Sequence, residues 1–507
     1  KNYLFVDGRY TIQAKIECGR KFKIIGIEKL LNCKFFKGLS LGVDPKLFTV
    51  NQIKKFFSNN NIKLIDKNLI DKMIKTNKEN NKPFFKLGKN ITGESYSDKI
   101  KKIINFLIKN KIDHIFITAP ENVAWLMNIR GHDNPNSPIP NSHLIISQNN
   151  KKKIIAKKIK LKNLIKRKII KNEEIVEPNK VEIFFKNLKG KKILIDKNTC
   201  SIYFEKILNR NFKIFKTNDP IYHLKSIKNK TEIDNMKKTH ILDGVALTKF
   251  IFWIKNINKK KITEVDAQNK LEQLRRKNRN FLYPSFDTIA GSGKNGAIIH
   301  YRANKKNCKT INNKDIFLCD SGGQYKYGTT DVTRTICFSK PSGNIKNIFT
   351  YVLKGHIAVA TTDLKKDNVG KKIDLRARKY LRQNNLDYAH GTGHGVGFFL
   401  NVHEGPQSIS KINKIRIKEG MILSNEPGYY KKGKFGIRIE NLIYVKKVKN
   451  KIFFENLTLA PIENDLINFD LLNKLEKDYL FKYHLNVYSS ISKYLNTKEK
   501  KWLASFI

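Results

Sequence analysis

In the second half of the chain, acidic and histidine residues interrupt β-strand patterns at positions where apolar residues would be expected. The β-rich runs 316–320 and 329–336 are joined by a turn-forming segment, and together they predict a hairpin. Pairing of the two runs brings Asp320 and Asp331 together. Neighbouring carboxylates repel each other, so a sheet that keeps both usually supplies a compensating cation, and a metal ion is the simplest source. The alternative is two solvent-exposed carboxylates on the hairpin.

Three histidines fall within fourteen residues of a chain that has only eleven. His394 lies in the run GTGHGVG (391–397), where glycines allow the backbone to approach a ligand closely and leave the imidazole unshielded. His390 precedes this histidine and His403 follows it. Neutral imidazole is a common metal ligand, whereas the alternative is a flexible surface loop with an incidental histidine. The clustering favours a functional site.

Two glutamates follow strand-like runs further along the chain. Glu426 comes after the apolar run 421–423 and before a Pro-Gly turn, which places its carboxylate at the end of a strand. In the run GIRIE (436–440), the two-residue period of a strand sends Arg438 and Glu440 to the same face. Judged singly, each glutamate would be a solvated strand end.

Judged together, these residues predict a metal centre. The four carboxylates just balance two divalent cations, and an oxygen-rich, thiolate-free set suits Mn²⁺ or a similar ion better than structural zinc. Two such ions, roughly 3.5 to 4 Å apart, can share a water molecule, ionise it near neutral pH and stabilise developing charge. The implied reaction is hydrolysis. The predicted ligands are Asp320, Asp331, His394, Glu426 and Glu440.

The length of 507 residues exceeds the size at which one core usually stops growing, so two or three domains are expected. Short apolar runs alternate with helical patterns up to about residue 225, which indicates α/β layering. We place an N-terminal α/β domain at 1–90, a second at 91–225, the domain that holds the chemistry at 226–462 and a helical packing extension at 463–507. The chain opens at Lys1, without an initiator Met and beside a strand-like run, so we expect an upstream segment to be missing.

The charge balance of 100 Lys and Arg against 44 Asp and Glu would normally indicate nucleic acid or an anionic membrane as a partner. The excess is spread along the chain and interleaved with Asn and Ile rather than with stacking aromatics. We interpret it as compositional bias and predict no nucleic-acid partner. The chain also has no uninterrupted apolar run near the roughly 18 residues of a membrane helix, so we predict no membrane partner.

The cysteines are scattered, without a closely spaced pair or a Cys/His cluster at zinc-finger spacing. We expect reduced thiols in a reducing compartment. The six are Cys18, Cys33, Cys200, Cys308, Cys319 and Cys337.

Around the predicted ligands the sequence resembles the pita-bread metallopeptidases, and specifically the long, three-domain aminopeptidase P enzymes. The motifs that carry the resemblance are LCDSG (318–322), GTTDVTR (328–334), HGTGHGVG (390–397), NVHEGP (401–406), NEPGYY (425–430) and GIRIEN (436–441). Similar motifs of the other parts of that family are VDGRY (6–10), NVAWLMNIRG (122–131) and YVLKGH (351–356). The resemblance covers nearly the whole chain.

The resemblance implies a mixed α/β (α+β) fold, with two N-terminal creatinase-like α/β domains, a pita-bread catalytic domain and a C-terminal helical extension. It also implies a role for each ligand. Asp320 would bind one metal ion, and Asp331 and Glu440 would bridge both. His394 and Glu426 would complete the shell of the second ion.

Four further residues match positions that face the substrate in that family. His300 matches a substrate-side histidine, and His390 and His403 also line the cleft. Their implied work is substrate positioning, hydrogen bonding to the transition state and proton transfer, and which of them moves the proton stays open. Arg438 matches a site arginine, which we expect to orient the carboxylates.

The resemblance implies a cytoplasmic, homodimeric enzyme that removes the residue before a proline from peptide N-termini, with a hydroxide held between two metal ions, most simply Mn²⁺, and no organic cofactor. A prolidase-type dipeptidase or a methionine aminopeptidase would keep the same ligands, but two preceding domains and the extension favour aminopeptidase P. A non-catalytic pita-bread binding protein of the histone-chaperone kind is the other alternative. Such proteins have lost ligands, whereas this sequence keeps all five.

Overall fold

The computed structural model describes residues 2–32, 36–73, 80–257 and 262–507. The chain forms two compact units. The larger unit consists of Lys1–Ile25 and Ser226–Ile507, and the smaller unit of Gly26–Lys225. The three boundaries that the sequence analysis places between four domains stay predictions.

The chain begins with a short βαβ segment. Its elements are β1 (Tyr3–Val6), α1 (Thr11–Cys18) and β2 (Lys23–Gly26). The two strands form a two-stranded sheet, and the helix between them buries little more than Ala14. The motif VDGRY therefore spans the end of β1 and the turn into α1.

The smaller unit contains a mixed six-stranded sheet with strand order β10-β9-β8-β6-β11-β12. The inner strands are almost entirely buried and rich in Ile, Leu and Phe, as expected for a sheet that is covered on both faces. Its strands are β3 (Ser40–Val43), β4 (Asn61–Leu64), β5 (Phe85–Lys86), β6 (His114–Ile117), β7 (Ile129–Arg130), β8 (His143–Ser147), β9 (Lys152–Ile155), β10 (Ile175–Val176), β11 (Lys192–Asp196) and β12 (Lys213–Thr217). Its helices are α2 (Val50–Phe56), α3 (Leu69–Met73), α4 (Lys89–Thr92), α5 (Tyr96–Lys109), α6 (Pro120–Leu126), α7 (Lys158–Lys166), α8 (Val181–Asn187), α9 (Ile202–Leu208) and α10 (Pro220–Ser226).

The larger unit surrounds its antiparallel sheets with helices that begin at polar caps. The side chains of Asn229, Thr263 and Ser342 each accept a hydrogen bond from a backbone N–H in the first turn of the following helix. The helices are α11 (Lys230–Asn256), α12 (Glu264–Arg276), α13 (Gly343–Ala360), α14 (Gly370–Arg382), α15 (Lys474–Ile491) and α16 (Thr497–Ala504). The last two belong to the segment predicted to be helical.

The strands of the larger unit form sheets of two, three and five strands. Two of these position the predicted site, with strand orders β14-β15-β18 and β20-β19-β21-β24-β25. The strands are β13 (Phe281–Pro284), β14 (Ile289–Ser292), β15 (Phe317–Ser321), β16 (Gly323–Tyr325), β17 (Gly328–Thr329), β18 (Val332–Ile336), β19 (Gly393–Gly395), β20 (Glu404–Ile409), β21 (Ile422–Asn425), β22 (Gly428–Lys431), β23 (Phe435–Arg438), β24 (Asn441–Val448) and β25 (Lys451–Asn456).

The predicted hairpin forms, but its connection is not a simple turn. Strands β15 and β18 pair antiparallel, with Asp320 opposite Thr333. Between them, β16 and β17 pair with each other, and β16 also pairs with β13. The predicted turn is present at 326–327, between β16 and β17. The connection also joins a second sheet, where the buried Tyr325 packs edge to face on Phe281 of β13.

Two apolar clusters support the sheets of the larger unit. One lies between α11, α12 and the sheet β14-β15-β18 and includes Phe250, Leu271 and Phe317. The other joins α13, β23 and α15, with Val352 and Val487 fully buried. The cysteines other than Cys33, which lies outside the described residues, are free thiols. Within the described ranges, every helix is too short or too polar to cross a membrane.

Candidate metal centre

Asp320 on β15 and Asp331, which directly precedes β18, are both buried. Asp320 is 8% exposed and Asp331 4%, so the alternative of two exposed hairpin carboxylates is wrong. Oxygens of both side chains and of Glu440 lie within 4.8 Å of one another. Burial, followed by repulsion from Asp320 and Glu426, raises the pKa of Asp331 well above its usual value.

Glu440 lies in the break between β23 and β24 and is almost completely buried. The hydroxyl of Thr333 donates to its Oε2 at 2.7 Å, and its backbone N–H donates to the Thr333 carbonyl at 3.1 Å. These two contacts tie Glu440 to β18, next to Asp331. Burial and the charge of Asp331 raise the pKa of Glu440 well above its usual value.

Glu426 follows β21, at the strand end predicted from the sequence. Its backbone N–H donates to the Thr392 carbonyl at 2.8 Å, and its Oε1 accepts a hydrogen bond of 2.9 Å from Ser424. Burial and the charge of Asp320 raise its pKa. Ligand atoms of Glu426, Glu440 and His394 lie within 4.8 Å of one another.

His394 on β19 presents one ring nitrogen to two carboxylates. Its Nδ1 lies 3.0 Å from the Gly395 carbonyl, which can only accept, so Nδ1 carries the proton in the neutral ring. Nε2 lies 3.4 Å from both Asp331 Oδ2 and Glu426 Oε1. The Nε2 lone pair therefore faces two carboxylate oxygens. A cation bound between these three atoms would stabilise this arrangement.

Two glycines next to His394 are required by the packing of neighbouring strands. A Cβ at Gly393 would overlap the Ser424 carbonyl, and a Cβ at Gly395 would overlap the Glu404 carbonyl. Both positions therefore need glycine because β20 and β21 pack against β19. Gly391 and Gly393 also line the cavity, so the close approach of a ligand to this backbone stays a prediction.

The residues present fit a pair of divalent cations. Four carboxylates and one imidazole supply oxygen and nitrogen donors, the set that borderline and hard divalent ions prefer. Asp320 Oδ1 is buried and has no hydrogen-bond partner among the described residues. Arg438 Nη2 donates to Asp320 Oδ2 at 2.5 Å, but one guanidinium leaves most of the negative charge of the cluster uncompensated.

Arg438 connects the carboxylates to a histidine. Its Nε donates to the Thr333 hydroxyl at 3.0 Å and its Nη1 to the Tyr430 hydroxyl at 2.6 Å. Tyr430 Oη lies 2.9 Å from His390 Nε2, while His390 Nδ1 lies 2.7 Å from the Gly391 carbonyl. Nδ1 therefore carries the proton and Nε2 accepts from Tyr430. Burial lowers the pKa of His390 to about 3, so the ring is neutral at pH 7.

His300 and His403 are also neutral near pH 7. The ring of His403 meets His394 edge to face with centroids 4.0 Å apart, and the nearness of His394, followed by burial, lowers the pKa of His403 to about 2, because two protonated rings would repel each other. Burial lowers the pKa of His300 to about 4, with further contributions from Arg9 and Arg438. Neutral rings can donate and accept hydrogen bonds at the same time.

All nine predicted site residues line one cavity of about 760 Å³ in the larger unit. The cavity is also lined by residues that received no role from the sequence, among them Arg9 and Tyr10 of the first βαβ segment. The Tyr10 ring packs edge to face on His300 at 4.9 Å, and Arg9 is held by Asp7. The motif VDGRY could have indicated Arg9, and NEPGYY could have indicated Tyr430, because both motifs were already singled out.

The chain is similar to known peptidases over nearly its whole length. The model of metallopeptidase family M24 matches residues 234–447, the creatinase/prolidase N-terminal domain matches 75–232, and the C-terminal region of peptidase M24 matches 451–505. A probable Xaa-Pro aminopeptidase P of Pyrenophora teres f. teres is 35% identical over 98% of this chain and 82% of its own. One of Laccaria bicolor is 36% identical over 99% of this chain and 84% of its own.

Solved structures show the same likeness. The X-prolyl aminopeptidase of Caenorhabditis elegans, described as a cytosolic enzyme with a di-nuclear active site, superposes with a TM-score of 0.91 at 28% identity, over 99% of this chain and 88% of that one. The prolidase of Pyrococcus furiosus gives a TM-score of 0.57 at 26% identity, over 70% of this chain and 98% of that one.

The fold and the buried cluster of carboxylates define a metallopeptidase, and the chain belongs to metallopeptidase family M24. Within that family, the relatives matched over nearly the whole chain are of the Xaa-Pro aminopeptidase P type. The family and the fold class predicted from the sequence motifs are confirmed.

Proposed function

We propose that the chain is a metal-dependent Xaa-Pro aminopeptidase, which hydrolyses the bond between an N-terminal residue and a penultimate proline. One observation carries the proposal. Donor atoms of five side chains, which lie up to 120 residues apart in the sequence, come together in overlapping groups in the lining of the same cavity. The full-length likeness to Xaa-Pro aminopeptidases supports the choice of peptides as substrates.

We propose that the site holds two divalent ions, most simply Mn²⁺. Asp320 would bind one ion, Asp331 and Glu440 would lie between both, and His394 and Glu426 would bind the other. When bound, such ions supply Lewis acidity and lower the pKa of water to near neutrality.

The chain's own residues fix the geometry of this site. Arg438 holds Asp320, and the Thr333 hydroxyl holds Glu440. The Gly395 carbonyl fixes the His394 tautomer, so that its Nε2 is free to bind. Contacts of this kind orient metal ligands, and their removal typically lowers metal affinity or activity about 10- to 100-fold.

The neutral histidines would act on the peptide. His390, whose Nε2 already accepts from Tyr430, is suited to positioning rather than to proton transfer. His300 and His403 line the cavity with neutral rings that can donate a hydrogen bond to a developing oxyanion or accept a proton.

We also propose that the enzyme works in the cytoplasm as a homodimer, without nucleic acid or membrane as a partner. The location is supported by the Caenorhabditis elegans neighbour, which is described as cytosolic. The dimer is supported only by the resemblance of the sequence to aminopeptidase P.

Metal analysis and a peptide panel test the proposed function. The purified chain is stripped of metal, reloaded with Mn²⁺ and offered Arg-Pro-Pro, Gly-Pro and Met-Ala. We expect about two equivalents of bound metal and release of arginine from Arg-Pro-Pro. Cleavage of Gly-Pro alone would support a prolidase instead, and release of methionine alone a methionine aminopeptidase. A chain that binds no metal and cleaves no peptide would be a binding protein.

A further inference from the structure

The motif YVLKGH ends in a histidine that belongs neither to the cavity nor to the predicted ligands. His356 lies on α13 and is completely buried. Its neighbours on the helix, such as Val352 and Leu353, are apolar and belong to the core. A buried polar ring among apolar side chains destabilises a protein unless it is hydrogen bonded, so the contacts of His356 indicate its role.

His356 and Asn425 form a reciprocal pair of hydrogen bonds. His356 Nδ1 lies 3.1 Å from the Asn425 carbonyl, and Asn425 Nδ2 donates to the His356 carbonyl at 2.9 Å. Asn425 is the last residue of β21 and directly precedes Glu426. The pair therefore fixes the strand end from which the Glu426 carboxylate projects.

The ring also lies beside the segment that carries the other glutamate. Because a carbonyl can only accept, Nδ1 carries the proton, and burial, which lowers the His356 pKa to about 3, keeps the ring neutral. Nε2 is buried without a hydrogen-bond partner among the described residues. The backbone of Ile439, which precedes Glu440, is close enough to influence the same ring.

We propose that His356 is a positioning residue that holds Glu426 in place for metal binding through its hydrogen bond to the Asn425 carbonyl. The inference rests on the proposed metal centre. It gives a fully buried histidine of α13 a part in the site although its side chain does not line the cavity. A purely structural role would affect stability alone, whereas a positioning role affects metal affinity.

Two substitutions test the contributions of the two ring nitrogens separately. In H356N the side-chain amide can occupy the place of Nδ1 and donate to the Asn425 carbonyl, whereas in H356Q the amide reaches the place of Nε2 and that donor is lost. The matched control is H240Q. His240 on α11 is nearly as buried, and its Nε2 is likewise unpartnered among the described residues. Its Nδ1 lies 2.7 Å from the Met236 carbonyl, so this hydrogen bond stays within α11 and does not reach a strand that carries a ligand.

The dissociation constant of Mn²⁺ is measured by calorimetry for each purified protein, with thermal unfolding of the metal-free forms alongside. We expect H356Q to bind Mn²⁺ about 10- to 100-fold more weakly than the wild type, and H356N to bind much more tightly than H356Q. H240Q is expected to lose thermal stability but to keep its metal affinity. The inference is overturned if H356Q binds Mn²⁺ like the wild type, or if H240Q weakens binding equally.

If H356Q does not fold, the Mn²⁺ affinity of H356N is the test. A tenfold loss of affinity in H356N would contradict the inference, because this variant keeps the hydrogen bond to the Asn425 carbonyl. The failure of the inference is distinguishable from failure of the proposed function. If the wild type binds Mn²⁺ but cleaves no proline peptide, the proposed activity is wrong and the comparison of metal affinities can still be made. If the wild type binds no Mn²⁺, the proposed activity and the inference about His356 are both wrong.

Discussion

At the scale of single residues, three of the four carboxylates of the cluster are held by donors that themselves belong to β-strands. Thr333 on β18 donates to Glu440, Ser424 on β21 to Glu426 and Arg438 on β23 to Asp320. Strand residues have little freedom to move, so the sheet sets the orientation of the carboxylates before any metal binds. At Asp331, burial and the like charges of Asp320 and Glu426 raise the pKa well above its usual value.

We expect Asp331→Asn to abolish peptidase activity and to lower metal content. The substitution keeps the shape of the side chain but removes one of the four negative charges that balance two divalent ions. The measurements are bound Mn²⁺ and kcat for Arg-Pro-Pro, and kcat should fall by more than about 100-fold.

Unfolding of the metal-free D331N protein provides the control. Because one of several mutually repelling buried carboxylates becomes neutral, the variant should be at least as stable as the metal-free wild type. A D331N enzyme with normal metal content and turnover would contradict the proposed position of Asp331 between both ions.

At the scale of elements, helix α15 is joined to the strands of the site by polar contacts. Arg334 on β18 donates to the Glu440 carbonyl at 2.6 Å and to the Tyr483 hydroxyl of α15 at 2.9 Å. Next to Tyr483, His484 Nε2 accepts from the Ile462 backbone N–H at 3.1 Å. The C-terminal extension therefore packs on the metal-centre strands through a hydrogen-bond network as well as through its apolar face.

His484 should make the metal-free protein less stable in mild acid. Burial lowers its pKa to about 4, whereas in the unfolded chain it titrates near 6.5, so the unfolded state binds the extra proton as the pH falls. The stability that the neutral ring contributes is complete above pH 6.5 and is lost toward pH 4. At pH 5 the loss from this one residue is about 2 kcal/mol.

Urea unfolding at pH 7.5 and pH 5 measures this effect. The variant H484Q keeps an acceptor for the Ile462 N–H but cannot be protonated, so its free energy of unfolding should change less between the two pH values than that of the wild type. An equal change in both proteins would assign the acid sensitivity to other groups, such as the buried His356 or His390.

At the scale of the whole molecule, the formal net charge of +56 favours a positive field around the protein. Such a field attracts anionic ligands and raises their association rates, and salt screens it over roughly 10 Å at 0.1 M. The net charge affects the rate at which charged substrates associate with the protein, and it does not determine the fold.

We therefore expect kcat/KM for an acidic peptide such as Ala-Pro-Glu-Glu to fall as NaCl is raised from low to physiological concentration. The isosteric neutral peptide Ala-Pro-Gln-Gln is the matched control and should change little. The measurement is initial rate at substrate concentrations below KM. If both peptides respond equally to salt, the net charge has no steering role.

The sequence alone determined the family, the fold class and the residues that meet in the cavity. Short motifs carry this information because an acidic residue next to or within an apolar strand pattern can be recognised in the sequence, as at Asp320 and Glu426. The roles of the five predicted ligands stay predictions, although their donor atoms are close together. The connection through β16 and β17 could not be predicted, since its partner strand lies about 40 residues away.

Only the tertiary structure decided which groups support the predicted ligands. Glycines 393 and 395 are required by the close packing of neighbouring strands, which the sequence of this run does not reveal. Arg9, from the first βαβ segment, reaches a cavity built almost 300 residues later, and His356 meets Asn425 across 69 residues. Local sequence patterns report the period and polarity of one element, whereas contacts between distant elements depend on how whole sheets and helices pack.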